Sequence, residues 1–475
     1  MRRREFLRHV TLGAVAAAAA VQWRAAHAWV DDASGVDPEW WNARNFAPVA
    51  TETTGERLRV TGRLPLSLDG LYVRNGTNAH PGTISPHWFI GDGMVHGVRL
   101  GDGDARWYRN RWIQTNELSR DTGLVGGGGP PSLTDGYANV SVIHHAGKLL
   151  ASGEVGLPWE LSPVDLSTVG VYDFGGRLRT SMTAHPKIDP ATGQLHFFGY
   201  WFTPPYLTYH VADADGALVH SEPVDIPAST MIHDFAVTER DVVFWDLPVV
   251  FDLDQLDTGI PFTWRPANGA RIGVMPLGGP ATDIRWVEIE PCYVFHGVNA
   301  FRDGDTVVVD VCRHDRMFAP GVTDSGALTL RRWRVSTGRP AFRFSDEIVE
   351  ERDAGELPTR DPRRVGREHR FGYLLQSHRR GDALVFGGVA KQDFVTGRRE
   401  VWRTDRHRQG NEFLFVPDGP GEDDGHLLAF VHDDRRDASD LVVLDARDVS
   451  AGPVASVQLP VRVPYGFHAA WVPTS

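Results

Sequence analysis

Four histidines of this chain stand at the head of short strand-like runs, where their side chains could bind one metal ion together. They are His185, His233, His296 and His468, and the intervals between them are 48, 63 and 172 residues. If the chain folds into a ring of repeated sheets, the first two intervals approximate one repeat and the third several, so the imidazoles would converge on the ring axis. Imidazole suits iron, copper, zinc or nickel. The spacing alone does not identify the metal, and it does not exclude that these are structural histidines.

Other familiar catalytic patterns do not occur in the sequence. There is no Gly-x-Ser-x-Gly elbow, no His-Glu-x-x-His helix and no Walker loop, and the glycine run at 126–129 precedes two prolines instead of a helix. Only two cysteines are present, which excludes a disulfide scaffold and a cysteine-based zinc site. We expect Cys312 to face Phe295 across a hairpin, and not Cys292, so no disulfide is predicted between them.

The elements that must position these histidines are short strands. From Trp29 onward the sequence has hardly any helical periodicity, and short runs rich in β-branched and aromatic residues alternate with Gly, Asp and Pro turns. The run 307–311, for example, follows the turn 302–305 and predicts a hairpin. No break in composition divides the chain, so we predict one all-β domain over 29–475. A propeller fits best, and seven blades would take about 64 residues each.

Composition and charge narrow the class of protein further. The chain has 475 residues, of which 41% are hydrophobic, and this is enough for a substantial core and excludes general disorder. With 49 basic and 61 acidic side chains the net charge is −12. Because phosphate binding needs clustered Lys and Arg, we expect no nucleic-acid partner.

The first 28 residues read as an export signal and not as part of the fold. Three arginines at positions 2–4 precede an apolar run from Val10 to Val21 and the small-x-small site 26–28, in the order of a cleavable signal. The apolar run of about 12 residues is too short for a membrane span, which needs about 20. Arg3-Arg4-Glu5-Phe6-Leu7 matches the twin-arginine motif. We therefore predict periplasmic localisation through the twin-arginine export machinery, with an ordinary secretory signal or a disordered tail as the alternatives.

Several motifs, in order along the chain, resemble those of the carotenoid cleavage oxygenases. This family includes enzymes that cleave carotenoids, apocarotenoids and stilbenes, and the isomerase of the retinal pigment epithelium. The motifs are the four histidine segments and the segments 70–76, 87–96, 269–276 and 422–425. The resemblance extends from about Leu64 to the C-terminus. It implies an all-β, seven-bladed β-propeller in which loops and helices cap the metal-bearing face.

The resemblance also implies a metal and the residues that hold it. The metal is one Fe(II) per chain, and the family's ligand motifs fall on His185, His233, His296 and His468. Three glutamates support these imidazoles in the family, and they match Glu154, Glu356 and Glu412. Carboxylates that accept the second ring N–H would fix the imidazole tautomers. At Glu412 this chain departs from the family, which usually has Gly-Glu-Pro where Asn411-Glu412-Phe413 stands here.

The implied activity is that of an Fe(II)-dependent dioxygenase, which uses O2 as co-substrate to cleave a C=C double bond into two carbonyl products. The stilbene-cleaving branch holds a substrate phenol with a lysine directly before the first glutamate and with a nearby tyrosine. Here those places are Gly153 and Trp112, and this favours an apolar carotenoid or apocarotenoid. The alternatives are a stilbene or phenylpropenoid such as isoeugenol, and a non-catalytic ligand-binding propeller. The intact histidine set speaks against the last of these.

Two segments have open interpretations at this stage. The aromatic residues 200–202, with Tyr206 and Tyr209, either line a substrate channel or pack at strand ends. The apolar segment 247–251 either forms a channel mouth that touches membrane lipid or is a buried strand.

Overall fold

The structure is a computed structural model that describes residues 42–83, 85, 87–116, 132–252, 254–255, 260–320, 325–338, 342–380 and 383–474. The predicted export signal at 1–28 and the glycine run at 126–129 lie outside the described residues, so the signal stays a prediction. Within the described ranges, no helix combines the length and the apolar character needed to cross a bilayer.

Short strands account for most of the regular structure. Those in the first half of the chain are β1 (Thr54–Glu56), β2 (Val60–Gly62), β3 (Gly70–Thr77), β4 (Gly93–Gly101), β5 (Asp104–Trp112), β6 (Ser141–His145), β7 (Lys148–Ser152), β8 (Trp159–Leu161), β9 (Thr168–Val171), β10 (Lys187–Ile188), β11 (Leu195–Tyr200), β12 (Leu207–Ala212), β13 (Leu218–Val224), β14 (Ala236–Val237), β15 (Asp241–Asp246) and β16 (Val249–Phe251). Those in the second half are β17 (Phe262–Trp264), β18 (Arg271–Pro276), β19 (Arg285–Glu288), β20 (Tyr293–Asp303), β21 (Thr306–His314), β22 (Leu328–Ser336), β23 (Arg343–Glu350), β24 (Glu356–Thr359), β25 (Phe371–Arg380), β26 (Ala383–Asp393), β27 (Arg399–Arg403), β28 (Arg408–Gln409), β29 (Leu414–Pro417), β30 (Gly425–Asp433), β31 (Ala438–Asp445), β32 (Pro453–Gln458) and β33 (Ala469–Pro473).

Seven antiparallel sheets of four to six strands form the blades of a β-propeller, which confirms the predicted fold class. In order around the ring they are blade 1 (β1-β5-β4-β3-β33), blade 2 (β6–β9), blade 3 (β10–β13), blade 4 (β14-β15-β18-β19), blade 5 (β20–β23), blade 6 (β24–β27) and blade 7 (β2-β32-β31-β30-β28, with β29 also on β30). A separate two-stranded ribbon joins β16 to β17.

Both ends of the described chain take part in closing the ring. The C-terminal strand β33 pairs with β3, from Gly70 opposite Pro473 to Arg74 opposite Ala469, and so completes blade 1. The N-terminal strand β2 pairs with β32 and extends blade 7. Because full closure leaves each blade with a neighbour on both sides, the inner strands are held in fixed positions around the axis.

The predicted hairpin at 302–311 is present as the β20–β21 turn, with Asp303 opposite Thr306. Gly304 has a φ of 56°, in the left-handed region that glycine adopts without strain. The register slips between Val294 and Gly297, so Cys312 lies opposite this irregular stretch of β20. Cys292 and Cys312 are both buried and free.

Within the described residues, helical structure with defined bounds is limited to three-residue 3-10 helices. They are Arg44–Phe46, Pro266–Asn268, Ala281–Asp283, Pro362–Arg364 and Val449–Ala451. Of the helices expected in the cap, the described part of the chain therefore shows only single turns.

Candidate metal centre

The four predicted histidines come from four different blades and meet on the ring axis. His185 precedes β10 of blade 3, His233 precedes β14 of blade 4, His296 lies in β20 of blade 5, and His468 directly precedes β33 of blade 1. All four ligand nitrogens lie within 4.8 Å of one another. The interval of 172 residues between His296 and His468 thus corresponds to three steps around the ring.

The nitrogen positions fit a single transition-metal ion. The Nε2 atoms of His185 and His233 are 3.0 Å apart, and those of His233 and His296 are 3.3 Å apart. Two nitrogens that bind one ion at about 2.1 Å and at a right angle lie about 3 Å apart. The ring centroids of His185 and His468 are 4.3 Å apart, which brings the fourth imidazole into the same group. The donor set of four imidazoles is one that iron, copper, zinc and nickel accept.

All three glutamates implied by the resemblance hold the outward nitrogen of one of these rings. The Nδ1 of His233 bonds to Glu154, that of His296 to Glu356 at 2.5 Å, and that of His468 to Glu412 at 2.7 Å. Glu412 makes this contact even though its flanking residues depart from the family pattern. A carboxylate on Nδ1 keeps the proton there and turns the Nε2 lone pair toward the centre.

His185 is supported differently. Among the residues that the structure describes, no carboxylate contacts its ring; its backbone N–H donates to the Thr183 hydroxyl at 3.2 Å. That hydroxyl also donates to the backbone carbonyl of His233 at 3.4 Å. Thr183 thus ties together the backbones of two neighbouring metal-site histidines.

The seven residues are distributed one to a blade. Histidines come from blades 1, 3, 4 and 5, and glutamates come from blades 2, 6 and 7. Glu154 follows β7 in blade 2, Glu356 is the first residue of β24 in blade 6, and Glu412 lies in blade 7 between β28 and β29. The structure thus brings together every site residue expected from the sequence, while the binding of a metal by these residues stays a prediction.

Two residues that support the glutamates were not anticipated in this role. The Tyr200 hydroxyl donates to Glu154 at 2.5 Å, and His314 contributes its Nε2 to Glu356 at 3.0 Å. Tyr200 was one of the residues with two open interpretations, channel lining or strand-end packing, and His314 was not singled out. The feature that could have identified His314 is its position at the end of β21, where it pairs with Tyr293 in the hairpin that carries His296.

Burial and neighbouring charges set the protonation of these groups. Burial, and then the adjoining imidazoles, hold the pKa of His185 and that of His233 well below the usual range, so both rings are neutral and available as ligands. At His296 burial lowers the pKa, but the carboxylates of Glu356, Asp234 and Glu412 together raise it above its usual value. Burial would raise the pKa of Glu356, yet His296 and His314 hold it well below its usual range. Glu356 is therefore ionised beside the centre.

Aromatic rings surround the histidines. The Phe295 ring lies 5.2 Å from that of His233 and 6.3 Å from that of Phe318. Phe89 lies 6.2 Å from Phe295 and 5.8 Å from Phe467. This apolar cluster is suited to exclude water from the metal centre and to contact an apolar ligand.

Other expected channel residues have different roles. Tyr209 is fully buried inside its blade, where its hydroxyl bonds to Nδ1 of His196 at 2.7 Å, as in the packing interpretation. The segment 247–251 contains the buried strand β16, paired with β17, and Leu247 and Val249 are buried. Of its two interpretations the buried strand is therefore the one that the structure shows. Membrane contact stays a prediction without support from this segment.

At the two positions where the stilbene-cleaving branch has polar substrate partners, this chain has one residue without a side chain and one whose polar atom is already hydrogen-bonded. Gly153 directly precedes Glu154, and a Cβ atom built there would meet nothing closer than the Ala138 nitrogen at 3.5 Å. Trp112 is buried, and its indole N–H donates to the Asn78 carbonyl at 2.9 Å. The single polar atom of the Trp112 side chain is thus used within the scaffold.

A sequence profile of the retinal pigment epithelial membrane protein family matches residues 46–473, nearly the whole described chain. This chain belongs to the carotenoid cleavage oxygenase family. A carotenoid cleavage oxygenase of Mycobacterium tuberculosis is 38% identical over 90% of this chain and 97% of its own length. A carotenoid 9,10(9',10')-cleavage dioxygenase of Crocus sativus is 34% identical over 90% of this chain and 88% of its own. An isoeugenol monooxygenase of Pseudomonas nitroreducens is 31% identical over 88% of this chain and 94% of its own.

Solved structures of the family agree with the fold. The lignostilbene dioxygenase of Pseudomonas brassicacearum superposes with a TM-score of 0.84 at 29% identity, and covers 92% of this chain and 99% of its own. The cobalt-substituted Synechocystis ACO superposes with a TM-score of 0.81 at 26% identity, with the same coverage. Like these propellers, the family member described here is an all-β ring around a central axis.

Proposed function

We propose that this protein is an Fe(II)-dependent dioxygenase that cleaves a C=C double bond of a carotenoid or apocarotenoid into two carbonyl products, with O2 as co-substrate. The observation that carries the proposal is the convergence of four imidazoles, three of them held by carboxylates, within 4.8 Å on the axis. The family membership and the named oxygenases among its relatives support the same class of reaction. The complete set of four histidines speaks against a non-catalytic ligand-binding propeller.

The protein residues have three tasks in this reaction. His185, His233, His296 and His468 would hold the iron, and Glu154, Glu356 and Glu412 keep three of the rings in the tautomer that presents Nε2. Iron bound there supplies the activation of O2 toward an electron-rich double bond. The aromatic cluster of Phe89, Phe295, Phe318 and Phe467 would exclude water and hold the substrate.

The surroundings of the centre favour a polyene as substrate. A site that recognises a phenol needs buried polar partners for its hydroxyl. At the two places where the stilbene-cleaving branch has such partners, this chain has Gly153 and Trp112, and the indole N–H of Trp112 is already bonded to the scaffold. The relative with 38% identity, a carotenoid cleavage oxygenase, is consistent with this choice.

The second candidate is cleavage of a stilbene or phenylpropenoid. Two comparisons favour it: the TM-score of 0.84 to a lignostilbene dioxygenase and the 31% identity to an isoeugenol monooxygenase. A direct competition separates the two candidates. The iron-loaded protein is given an apocarotenal together with resveratrol or isoeugenol at matched concentrations, and the products are identified by mass spectrometry under 18O2.

We expect the apocarotenal to be consumed with the higher kcat/KM and both carbonyl products to carry 18O. Consumption of resveratrol or isoeugenol alone would establish the second candidate, and label in only one product would contradict a dioxygenase. His233→Ala and His296→Ala should each abolish turnover and sharply lower the iron content from one per chain. His407→Ala, which removes a histidine outside the centre, is the control and should keep both.

We also propose that the protein is exported to the periplasm through the twin-arginine pathway, on the motif that begins with Arg3 and Arg4. This pathway carries folded proteins, which suits a chain whose proposed metal site forms only when the ring is closed.

A further inference from the structure

One buried carboxylate joins three blades close to the metal centre. Asp234 directly follows His233, and its side chain is 2% exposed. One of its oxygens, Oδ1, accepts from Nζ of Lys187 at 2.6 Å and from the backbone N–H of Phe235 at 2.7 Å. The other oxygen, Oδ2, accepts from the backbone N–H of Gly297 at 2.9 Å. We call these three hydrogen bonds the Asp234 bridge.

The Asp234 bridge reaches the segments that carry three of the four histidines. Lys187 lies two residues after His185 in blade 3, and Gly297 directly follows His296 in blade 5. The segment of Asp234 itself leads into β14 of blade 4. The links between the blades are therefore made one or two residues away from the imidazoles that are to share one ion.

Backbone pairing within the blades gives these three segments little support. β10 and β14 are two residues long, and each makes two residue pairs with the next strand of its own blade. In β20 the pairing with β21 is irregular on both sides of Gly297, and such a bulge leaves backbone groups outside the ladder. Since no ladder among the described strands joins β10, β14 and β20 to one another, other contacts set the distances between these segments.

The Asp234 bridge has the chemistry to set such distances. The Lys187 side chain is 12% exposed, so both charged groups are largely shielded from water. Hydrogen bonds between an ammonium and a carboxylate are shorter and about twice as strong as neutral ones. A carboxylate has two acceptor oxygens and no hydrogen, so it can accept from all three donors at once. A side-chain amide cannot do this.

We propose that Asp234 is a positioning residue that sets the spacing of His185, His233 and His296 around the axis. The glutamates of the centre act on the imidazole rings, whereas Asp234 acts on the backbone segments that carry them. The Nε2 separations of 3.0 and 3.3 Å among these three histidines are the distances that the Asp234 bridge maintains. His468 is held separately, because its segment leads into β33, which pairs with β3. The inference rests on the proposed binding of a metal by the four histidines.

Asp234→Asn tests the proposal because it keeps the shape of the side chain. An asparagine offers one oxygen and one NH2 group. In one orientation the NH2 group faces the Gly297 N–H, and in the other it faces the donors of Lys187 and Phe235. Either orientation breaks one link between the blades.

Asp241→Asn is the matched control. Asp241 is also a buried carboxylate of blade 4 that accepts from blade 5, namely from Nε and Nη2 of Arg302, each at 2.6 Å. Arg302 lies six residues beyond His296 along β20, next to the turn into β21. The control therefore removes the same charge and weakens a link between the same two blades, but away from the metal centre.

Two measurements on the full-length protein report on the centre without turnover. Fe(II) affinity is measured by competition with a chelator of known affinity, and the visible absorption bands of the Co(II)-substituted protein report the arrangement of the ligands. We expect Asp234→Asn to weaken Fe(II) binding about 10- to 100-fold and to change the Co(II) bands. Asp241→Asn should lower the Tm of the metal-free protein and leave both metal readouts unchanged.

Wild-type affinity and bands in Asp234→Asn would overturn the proposal. Equal changes in Asp241→Asn would also overturn it, because they would show a general loss of stability. If Asp234→Asn does not fold, Lys187→Met decides: it removes only the link to blade 3 and should weaken Fe(II) binding about tenfold, and unchanged binding would refute the bridge.

The same measurements separate this inference from the proposed function. A wild-type protein that binds neither Fe(II) nor Co(II) would overturn the metal centre and the role of Asp234 with it. Metal binding that depends on Asp234, in a protein that cleaves no alkene, would contradict the oxygenase activity alone.

Discussion

Replacement of Glu412 by glutamine should damage the metal centre more than the same replacement of Glu356. The two oxygens of Glu412 each accept from an N–H group, His468 Nδ1 at 2.7 Å and the backbone nitrogen of Ala469 at 2.8 Å. A glutamine offers one oxygen and one NH2, so in either orientation the NH2 group faces a donor. His468 cannot relieve this conflict by changing tautomer, because its Nε2 must stay unprotonated to bind a metal.

Glu356 has a partner that can adapt. One of its oxygens accepts from His296 Nδ1 at 2.5 Å and from the backbone nitrogen of Leu357 at 2.6 Å, and the other contacts Nε2 of His314 at 3.0 Å. The amide oxygen of a glutamine can take the first place. Its NH2 can then donate to His314, which moves its own proton to Nδ1. Every hydrogen bond survives and only the charge is lost.

The difference can be put into numbers. Loss of a charged partner of a metal-binding histidine typically lowers metal affinity or activity about 10- to 100-fold, and we expect this for Glu356→Gln. Glu412→Gln adds a buried N–H without an acceptor, which costs about 1–3 kcal/mol. At about 1.4 kcal/mol per factor of ten, iron affinity should fall by a further 5- to 150-fold.

Iron affinity is measured by competition with a chelator of known affinity, and thermal melts of the metal-free proteins report on folding. Glu422→Gln is the control: Glu422 accepts two backbone N–H groups, of Arg370 and Phe371, away from the centre, and its loss of charge should leave iron affinity unchanged. Equal losses in Glu356→Gln and Glu412→Gln, or a larger loss at Glu356, would refute the hydrogen-bond argument.

Three further perturbations have defined outcomes. Gly153→Lys should lower kcat/KM for an apocarotenal at least tenfold with the iron content unchanged. The added Cβ fits at this position, but desolvation of the ammonium in an apolar channel costs several kcal/mol. Unchanged turnover would contradict an apolar channel there. A reporter fused to residues 1–40 should reach the periplasm, and replacement of both Arg3 and Arg4 by lysine should retain it in the cytoplasm; continued export would point to the general secretory route. Burial would raise the pKa of the Asp310 carboxyl, but hydrogen bonds from Arg332 and His369 lower it below its usual value. The ionised Asp310 therefore contributes fully to the free energy of unfolding above about pH 4, and this contribution is lost as the pH falls through the lowered pKa. Asp310→Asn should therefore lower the free energy of unfolding by about 3–5 kcal/mol at neutral pH and flatten the acid side of the Tm–pH profile. A variant profile that runs parallel to that of the wild type would contradict this.

The repetition of a propeller made the four histidines candidates, but the spacing alone did not separate them from structural histidines, and the family resemblance was needed to select them. Their intervals correspond to whole steps around the ring, and each stands where a first strand of a blade begins or, for His296, within such a strand. The glutamates have no such signal. Glu154 lies in a loop between β7 and β8, and Glu412 lies in the break between β28 and β29, so both look like surface residues locally. Only the family resemblance picked them out.

Contacts between blades were beyond any local pattern. The bond from Tyr200 in blade 3 to Glu154 in blade 2, and that from His314 in blade 5 to Glu356 in blade 6, depend on how neighbouring blades pack. The segment 247–251 is a second example, because its apolar sequence is equally compatible with a membrane-facing channel mouth and with a buried strand. Pairing with β17 decides in favour of the strand.

Closure of the ring and formation of the metal centre are one event. His468 directly precedes β33, which reaches blade 1 only by pairing with β3, and its ring then lies 4.3 Å from that of His185. The centre therefore does not exist in any form of the chain in which β33 is undocked. By linkage, an ion that binds only the closed ring stabilises closure by its binding free energy. A metal ion bound by the four histidines would thus stabilise the association of blades 1, 3, 4 and 5, in addition to any chemistry that it supplies.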